Sequence, residues 1–149
     1  MKIIVLLVLT ISFSTLLQAQ QLYTKDQQEV QQTIVKMFEA LSNRDTISLK
    51  AYCTPDITFY EYGEIWTLDK LINKAITTNR AEDFKRTNIF EFINTTTGKT
   101  TAWVTYHLNS VLIKDGKQAT VQWLETVILT TEKKQWKVKH LHSTLIKRS

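Results

Sequence analysis

The second half of the chain limits the possible folds most, because it consists of four long segments with strand-forming sequence. The segments cover residues 85–94, 100–113, 118–131 and 135–146. Asp115-Gly116 lies between the second and third segments, and this pair favours a tight hairpin turn because it tolerates positive φ. Polar turns separate the other segments, so the sequence predicts four consecutive antiparallel strands.

The predicted strands are longer than the usual length of about five or six residues. Strands of such length twist and coil strongly, because the twist accumulates along each strand. Helices packed on the concave face of a strongly coiled sheet would produce a cone with one open end.

The first half of the chain is predicted to contain three helices and one strand. In residues 25–43, apolar side chains recur at steps of three and four, which is typical of an amphipathic helix. Shorter helices are predicted at 46–52 and 69–79, and a strand at 56–62. Because helices and strands are segregated along the chain, the pattern favours an α+β fold over a parallel α/β sheet.

The N-terminus has the pattern of a bacterial-type signal peptide. Lys2 precedes an apolar run at 3–17, and the small residue Ala19 follows at a suitable cleavage point. The run is shorter than the roughly 20 residues that a membrane span needs. We expect residues 1–19 to be cleaved and 20–149 to form one exported domain, periplasmic or secreted. An uncleaved membrane anchor is the alternative.

Charge and cysteine content exclude some partners and cross-links. The net charge of +5 is mild, and the basic residues are spread along the chain without the clustering typical of nucleic-acid-binding surfaces. We therefore expect no nucleic-acid partner, and no membrane association after cleavage of the signal peptide. Cys53 is the single cysteine, so it cannot form an internal disulfide, and we predict a buried apolar role rather than a nucleophile.

Several short strings, in this order along the chain, resemble the nuclear transport factor 2-like superfamily. The most similar branch is that of the SnoaL-like and ketosteroid-isomerase-like small domains, including the kinase association-domain type. The resemblance covers approximately residues 25–144. The matching strings are Thr54-Pro55-Asp56-Ile57-Thr58-Phe59, Ala102-Trp103-Val104-Thr105-Tyr106, Asp115-Gly116-Lys117, Glu125-Thr126 and Trp136-Lys137-Val138-Lys139-His140-Leu141-His142-Ser143.

This resemblance implies a cone-shaped, strongly curved antiparallel sheet with three N-terminal helices on its concave face. It also implies a conical pocket between the sheet and the helices, and homodimers or larger rings formed through the sheet. It does not imply a single function, since members of the superfamily include isomerases, dehydratases, ligand binders and assembly domains.

Glu61 is the first candidate catalytic residue. In the ketosteroid-isomerase-like members, a carboxylate shortly before a glycine on the first strand is the general base, and Glu61 precedes Gly63. Here Tyr62 replaces a proline of that pattern, and Glu replaces Asp. An apolar cavity would raise the pKa of this carboxyl, which suits proton abstraction beside a carbonyl. The alternative is a solvated or ion-paired glutamate at the rim.

His142 is the second candidate catalytic residue, because the family pattern keeps a histidine at this position. Strand alternation predicts that His140 and His142 share a face with Trp136 and Val138. Glu125 on the neighbouring strand would then pair with His142, as an acid/base dyad or as a structural ion pair. The spacing of histidine and cysteine assembles no zinc ligand set, so no metal and no cofactor are predicted.

Aromatic residues are numerous enough to line a pocket for an apolar ligand with one polar end. Packing in the core or in a dimer interface is the alternative for most of them. The predicted ligand-binding residues are Phe59, Tyr62, Trp66, Trp103, Trp123, Glu125, Trp136 and His140.

Three functions remain open from the sequence. The leading hypothesis is an exported homodimer whose conical pocket binds a small, mostly apolar ligand. The second is a cofactor-free isomerase or lyase, with Glu61 as general base and His142 or a tyrosine hydroxyl polarising a carbonyl. The third is a homo-oligomeric assembly domain without a bound ligand.

Overall fold

The computed structural model describes residues 22–149, so the predicted signal peptide at 1–19 lies outside the described residues. Within 22–149, no helix has the length and apolar character needed to cross a membrane. A π-helical turn, Asn73–Thr77, continues the third helix. The elements are α1 (Lys25–Ser42), α2 (Thr46–Tyr52), β1 (Cys53–Glu61), β2 (Glu64–Trp66), α3 (Leu68–Ile72), β3 (Lys85–Thr97), β4 (Thr101–Lys114), β5 (Lys117–Glu132) and β6 (Gln135–Arg148).

The strands form one six-stranded sheet in the order β2-β1-β6-β5-β4-β3. Strands β3 to β6 are consecutive antiparallel neighbours, which confirms the prediction for the second half of the chain. The sheet is mixed, because β1 pairs in parallel with β6, with Phe59 opposite Leu141. The parallel pairing was not predicted, because a strand pattern does not identify a partner about 80 residues away in sequence.

A tight turn at Tyr62-Gly63 joins β1 to the short strand β2, which was not predicted. Both turn residues have positive φ, 52° for Tyr62 and 77° for Gly63. This combination is typical of a type I′ hairpin turn. The turn therefore fixes Glu61 at the end of β1, opposite Glu64 on β2.

Helix α1 covers part of the concave face of the sheet and contacts β3 and β6. It begins after Thr24, whose hydroxyl accepts a hydrogen bond from the backbone N–H of Gln27, while the backbone N–H of Thr24 donates to Gln27 Oε1. Val30 and Ile34 are completely buried, and each such side chain contributes about 1.5–3 kcal/mol through burial. This apolar stripe holds α1 over the sheet and forms one wall of the interior.

A β-bulge in β6 decides which of its side chains face the helices. Ile128 pairs with His140 and Leu129 pairs with Val138, so Lys139 is the extra residue. Val138 is buried before the bulge, whereas after it Leu141 is buried and His140 faces the convex side. The prediction that His140 and His142 share a face with Val138 is therefore wrong.

Cys53 begins β1 and is buried, as predicted. Burial raises the pKa of its thiol to about 12, so the group is neutral and unreactive at physiological pH.

Candidate functional site

A cavity of about 370 Å³, here named the cone cavity, lies between the helices and the concave face of the sheet. Its walls are mostly aromatic and aliphatic and include Phe38, Leu41, Tyr62, Trp66, Leu71, Ala75, Phe84, Leu112 and Trp123. Its polar lining residues are Glu61, Lys74, Asn79, Arg86, Lys114, Glu125 and Arg148. The cavity thus combines apolar walls with a small number of charged groups, which is typical of a small-molecule site.

Two carboxyl groups that line the cone cavity meet at a buried serine beside it. Glu125 lies on β5 directly opposite Ser143 on β6, and is only 3% exposed. Ser143 Oγ lies 2.7 Å from Glu125 Oε1 and 2.9 Å from Glu61 Oε1. One hydroxyl therefore joins a deeply buried carboxyl to a half-buried carboxyl at the end of β1.

The environment raises the pKa of both carboxyl groups. Burial raises the pKa of Glu125 to about 7, against the opposing effect of its hydrogen bonds. Burial also raises the pKa of Glu61, although Ser143 and the positive charge of Arg86 oppose the shift. Raised carboxyl pKa values bring proton binding and release closer to neutral pH, where such groups act as general acids or bases.

Tyr106 lies beside this pair on β4, directly opposite Glu125. Its ring packs against Phe90 and Phe92 and the whole side chain is buried. Tyr106 Oη and Glu125 Oε2 interact electrostatically, but within residues 22–149 neither atom has a partner with regular hydrogen-bond geometry. Burial raises the pKa of Tyr106 well above its usual value, so the phenol is neutral.

Arg86 supplies the positive charge in the interior of the cone cavity. Its Nε donates to Asn88 Oδ1 at 3.0 Å, and its Nη2 donates to Ser110 Oγ at 3.3 Å. The guanidinium also lies over the rings of Phe38 and Trp123, 5.3 and 5.7 Å from their centroids. These contacts fix the orientation of the guanidinium before any ligand binds.

Three exposed basic residues, Lys74, Lys114 and Arg148, line the rim of the cone cavity. The ammonium of Lys74 lies 5.4 Å from the ring centroid of Trp66, which helps to hold both side chains at the rim. With Arg86 they outnumber the two carboxyl groups, so the field at the rim favours the approach of an anion or a polar oxygen group.

Five of the residues predicted from the sequence lie together in the cone cavity: Glu61, Tyr62, Trp66, Trp123 and Glu125. Phe59 is instead part of the core, with 2% of its surface exposed. Trp136 lines a separate groove of about 480 Å³ between the first two helices and β6, together with Tyr52. Neither Phe59 nor Trp136 lies beside the carboxyl pair.

The other three predicted site residues, Trp103, His140 and His142, face the convex side of the sheet. His140 Nδ1 is 3.0 Å from Thr58 Oγ1, and its ring lies 4.8 Å from that of Tyr60. Trp103 is 46% exposed because it alternates with the buried Ala102 and Val104. The bulge at Lys139 turns His142 outward, so the predicted pair of Glu125 with His142 does not form, and Ser143 takes the position beside Glu125.

Sequence reasoning missed three polar residues of the site: Arg86, Ser143 and Asn79. Ser143 faces inward only because of the bulge, and no sequence signal marks that bulge. Arg86 shares one face of β3 with Asn88, Phe90 and Phe92, because side chains two residues apart in a strand point the same way. The inward position of Arg86 therefore follows once the inward face of β3 is known. Within residues 22–149, no three histidine, cysteine, aspartate or glutamate side chains are grouped to hold a metal ion.

Comparisons with known structures identify the architecture. A conserved protein from Planctomyces limnophilus is 13% identical and superposes with a TM-score of 0.72, over 81% of this chain and 98% of that one. A ketosteroid isomerase-like protein from Erwinia carotovora atroseptica is 13% identical, with a TM-score of 0.67 over 84% and 99% of the two chains. The CaMKII hub of S. rosetta is 19% identical, with a TM-score of 0.67 over 84% and 100%.

Sequence comparison gives the family. No protein with a curated description matches this sequence. A family model described as a SnoaL-like domain matches residues 30–146, which include strands β1 to β5, all of β6 except its last two residues, and every polar lining residue except Arg148. The curved sheet with helices on its concave face is the α+β cone fold of nuclear transport factor 2-like proteins, in agreement with the predicted fold class. The chain therefore belongs to the SnoaL-like domain family.

Proposed function

We propose that the cone cavity binds a small, mostly apolar molecule with one polar end. The observation that carries the proposal is that Glu125 and Glu61, joined through Ser143, line a cavity whose walls are mostly apolar. Burying carboxyl groups in apolar surroundings costs several kcal/mol unless they are fully hydrogen-bonded. A fold has no need of such a group for stability, so we infer that it is retained for contact with a ligand.

Arg86 is the group that would receive the polar end of this ligand. A guanidinium has five N–H donors, and Arg86 uses two of them on Asn88 and Ser110. The remaining donors favour an oxygen acceptor, such as a carbonyl or carboxylate. The rings of Phe38 and Trp123, on which the guanidinium already lies, would then flank the apolar part of the ligand.

Native mass spectrometry of the mature chain, purified gently from its own host, tests this proposal. We expect a non-covalent adduct of small-molecule mass that is released on denaturation. Ala75→Phe fills part of the cone cavity and should abolish the adduct, whereas Ala51→Phe places the same ring at an exposed site on α2, outside the cavity. An adduct that survives Ala75→Phe would place the ligand elsewhere, and the absence of any adduct would count against a stable binder.

A second candidate function, cofactor-free proton transfer with Glu61 as general base, is favoured by the contact between Glu61 and Ser143. This contact orients a carboxylate at the end of β1, where burial raises its pKa. A ligand carbonyl held by Arg86 would be polarised, which acidifies the neighbouring C–H. His142 faces the convex side, so Arg86 replaces it in this proposal. The ketosteroid isomerase-like neighbour supports this candidate only through its fold.

Hydrogen exchange of the ligand in D₂O tests proton abstraction without knowledge of the net reaction. We expect the wild type to catalyse exchange at one carbon position of the co-purified molecule, and Glu61→Gln to stop exchange while the ligand still binds. Glu39→Gln, on the exposed side of α1, is the matched control. Equal exchange in Glu61→Gln and wild type would exclude Glu61 as the base.

We also propose that the chain forms a homodimer through the convex face of the sheet. This face exposes Tyr60, Ile89, Trp103, Leu124 and Ile128, each between 38% and 60%. Trp103 and Ile128 are directly paired on this face, and exposed apolar neighbours of this kind are typical of protein interfaces. The CaMKII hub neighbour has the fold of this chain, and hubs are assembly domains. Light scattering of the mature protein should give twice the monomer mass; a monomer at all concentrations would exclude the dimer.

Export remains our proposal for the location of the domain. It rests on the apolar run after Lys2 and on the small residue Ala19. The measurement is the intact mass of protein recovered from the periplasm or medium of its host. We expect a chain that begins at Gln20; a chain that retains Met1 in the cytoplasmic fraction would contradict export.

A further inference from the structure

We propose that Glu125, Ser143 and Glu61 form a proton relay, in which the two carboxyl groups share one proton through the serine hydroxyl. The relay would connect Glu125, at the buried side of the cone cavity, to the more exposed Glu61 at the end of β1. The inference rests on the proposed function only in this respect: the cavity is where the relayed proton would be used.

The relay follows from counting the hydrogen atoms between three oxygen atoms. Ser143 Oγ lies 2.7 Å from one carboxyl oxygen and 2.9 Å from another, and both distances are those of full hydrogen bonds. A hydroxyl has one hydrogen to donate, and a hydrogen shared between two acceptors would leave both contacts longer. The second contact therefore needs a hydrogen from a carboxyl group, so one of the two glutamates is protonated.

Burial decides which carboxyl group holds the proton. Glu125 is 3% exposed, whereas Glu61 is half-buried and closer to solvent. Charge is less costly at the more exposed site, so Glu125 is the acid and Glu61 the carboxylate. Burial also raises the pKa of Glu125 to about 7, in agreement with this assignment.

Charged and titratable groups from the neighbouring strands act on this pair. The positive charge of Arg86 stabilises the carboxylate form of both glutamates, and Tyr106 is neutral. His142 lies on the convex face but still lowers the pKa of Glu61. The groups that act on the two carboxyl groups are Arg86 on β3, Tyr106 on β4 and, from the convex face, His142 on β6. The cavity that both carboxyl groups line is also lined by Lys74, Lys114 and Arg148.

The relay step conserves protons and breaks no bond between heavy atoms. The carboxyl proton of Glu125 moves to Ser143 Oγ while the hydroxyl proton of Ser143 moves to Glu61 Oε1. The result is a carboxylate at Glu125, an unchanged serine and a carboxylic acid at Glu61. Glu61 is then able to donate a proton into the cone cavity, and the reverse step restores it as a base. Ser143 acts here as a positioning residue.

Infrared spectroscopy of the ligand-free mature chain tests the relay. At about pH 6, above the ordinary glutamate pKa, the wild type and the control Glu39→Gln should show the C=O stretch of one protonated carboxyl group. Glu125→Gln should remove this band. Absence of the band in the wild type, or its persistence in Glu125→Gln, would overturn the proposal.

The coupling between the two carboxyl groups is tested by a double-mutant cycle. Glu61→Gln should lower the pH at which the band of Glu125 titrates, because it removes a neighbouring negative charge and introduces an amide donor. The same substitution in a Ser143→Ala background should shift the midpoint less, and Ser143→Thr should restore the full shift. Equal shifts with and without the hydroxyl would show that Ser143 does not couple the two groups.

Circular dichroism of every variant distinguishes a lost relay from a lost fold. The infrared spectrum of a variant is interpreted only if its circular dichroism shows that the β-strands are retained. All of these spectra are recorded without a ligand. A failure of the cone cavity to bind a molecule would therefore leave the relay intact, and a failure of the relay would leave ligand binding to Arg86 untouched.

Discussion

Glu125 and Ser143 occupy paired positions on β5 and β6, and their oxygen atoms lie 2.7 Å apart inside an otherwise apolar layer. The neighbouring pairs on the same inward face are hydrophobic, as in Val127 opposite Leu141. The polar pair is therefore a local departure from the core pattern. It is this departure, with Arg86 and Glu61 beside it, that turns a packed interior into a candidate site.

The first prediction concerns the dependence of stability on pH. The pKa of Glu125 is about 7 in the folded state and about 4.5 when the side chain is solvated, so the folded protein binds more protons between these values. The free energy of unfolding should therefore fall as pH rises through this window, by up to about 3 kcal/mol. Urea unfolding at a series of pH values measures this slope.

Glu125→Gln is the matched variant for this experiment. Glutamine keeps the shape of a neutral glutamic acid and does not titrate, so the slope should become flatter over the same pH window. A wild-type free energy of unfolding that rises with pH in this window would contradict a raised pKa for Glu125.

The second prediction concerns Arg86 and ligand affinity. Arg86→Lys keeps the charge but removes the planar fork that bonds Asn88 and Ser110, so the cation loses its fixed orientation. A lost hydrogen bond to a charged group costs about 1.5–3 kcal/mol, so the Kd of the co-purified ligand should rise by roughly tenfold or more. Isothermal titration calorimetry measures this change.

Arg80→Lys serves as the control, because Arg80 is exposed and lies outside the cone cavity. Unchanged affinity in Arg86→Lys would show that the ligand does not contact this guanidinium. The melting temperature of both variants should be recorded, so that a loss of fold is not mistaken for a loss of binding.

The sequence was sufficient to predict the four long strands and the order of all elements except the short strand β2, because each depends on local signals. The hairpin at Asp115-Gly116 and the amphipathic pattern of α1 are examples. The family resemblance placed Glu61 and Glu125 among the candidate residues, and the abundance of aromatic residues added Trp66; these three line the cone cavity.

The remaining site residues depended on long-range geometry that a single sequence does not encode visibly. The bulge at Lys139 exchanges the faces of His142 and Ser143, and it is specified by the pairing of β5 with β6. The parallel contact between β1 and β6 brings Glu61 to Ser143 across 82 residues of sequence. Arg86 became a candidate only when the structure showed which face of β3 packs against α1.

The third prediction concerns the convex face and the proposed dimer. Trp103→Glu places a charge beside Ile128 on this exposed face, where burial against a second copy would be unfavourable. The dimer should dissociate at concentrations where the wild type remains associated, without loss of monomer stability. Gln32→Glu adds the same charge on the exposed side of α1 and should leave the protein dimeric. Sedimentation velocity distinguishes the outcomes, and a dimeric Trp103→Glu would place the interface elsewhere.

The fourth prediction concerns the segment between α3 and β3, which carries Asn79 and Phe84 to the cone cavity. The carboxylate of Asp83 accepts hydrogen bonds from the backbone N–H groups of Asp115 and Gly116, at 2.8 and 2.7 Å. These bonds, that from Gly116 first, hold the pKa of Asp83 below its usual value of 3.8. Their contribution to stability is therefore present above that value and is lost as pH falls through the lowered pKa.

Asp83→Ala should release this segment from the β4–β5 hairpin. We expect faster amide hydrogen exchange at Asp115 and Gly116 near neutral pH, while amides in the centre of β4 and β5 keep their protection. Asp69→Ala, an exposed aspartate at the start of α3, is the control. If Asp83 holds the wall of the cone cavity in place, its loss should also weaken ligand binding. Unchanged exchange at the hairpin would show that the two bonds contribute nothing to the position of this wall.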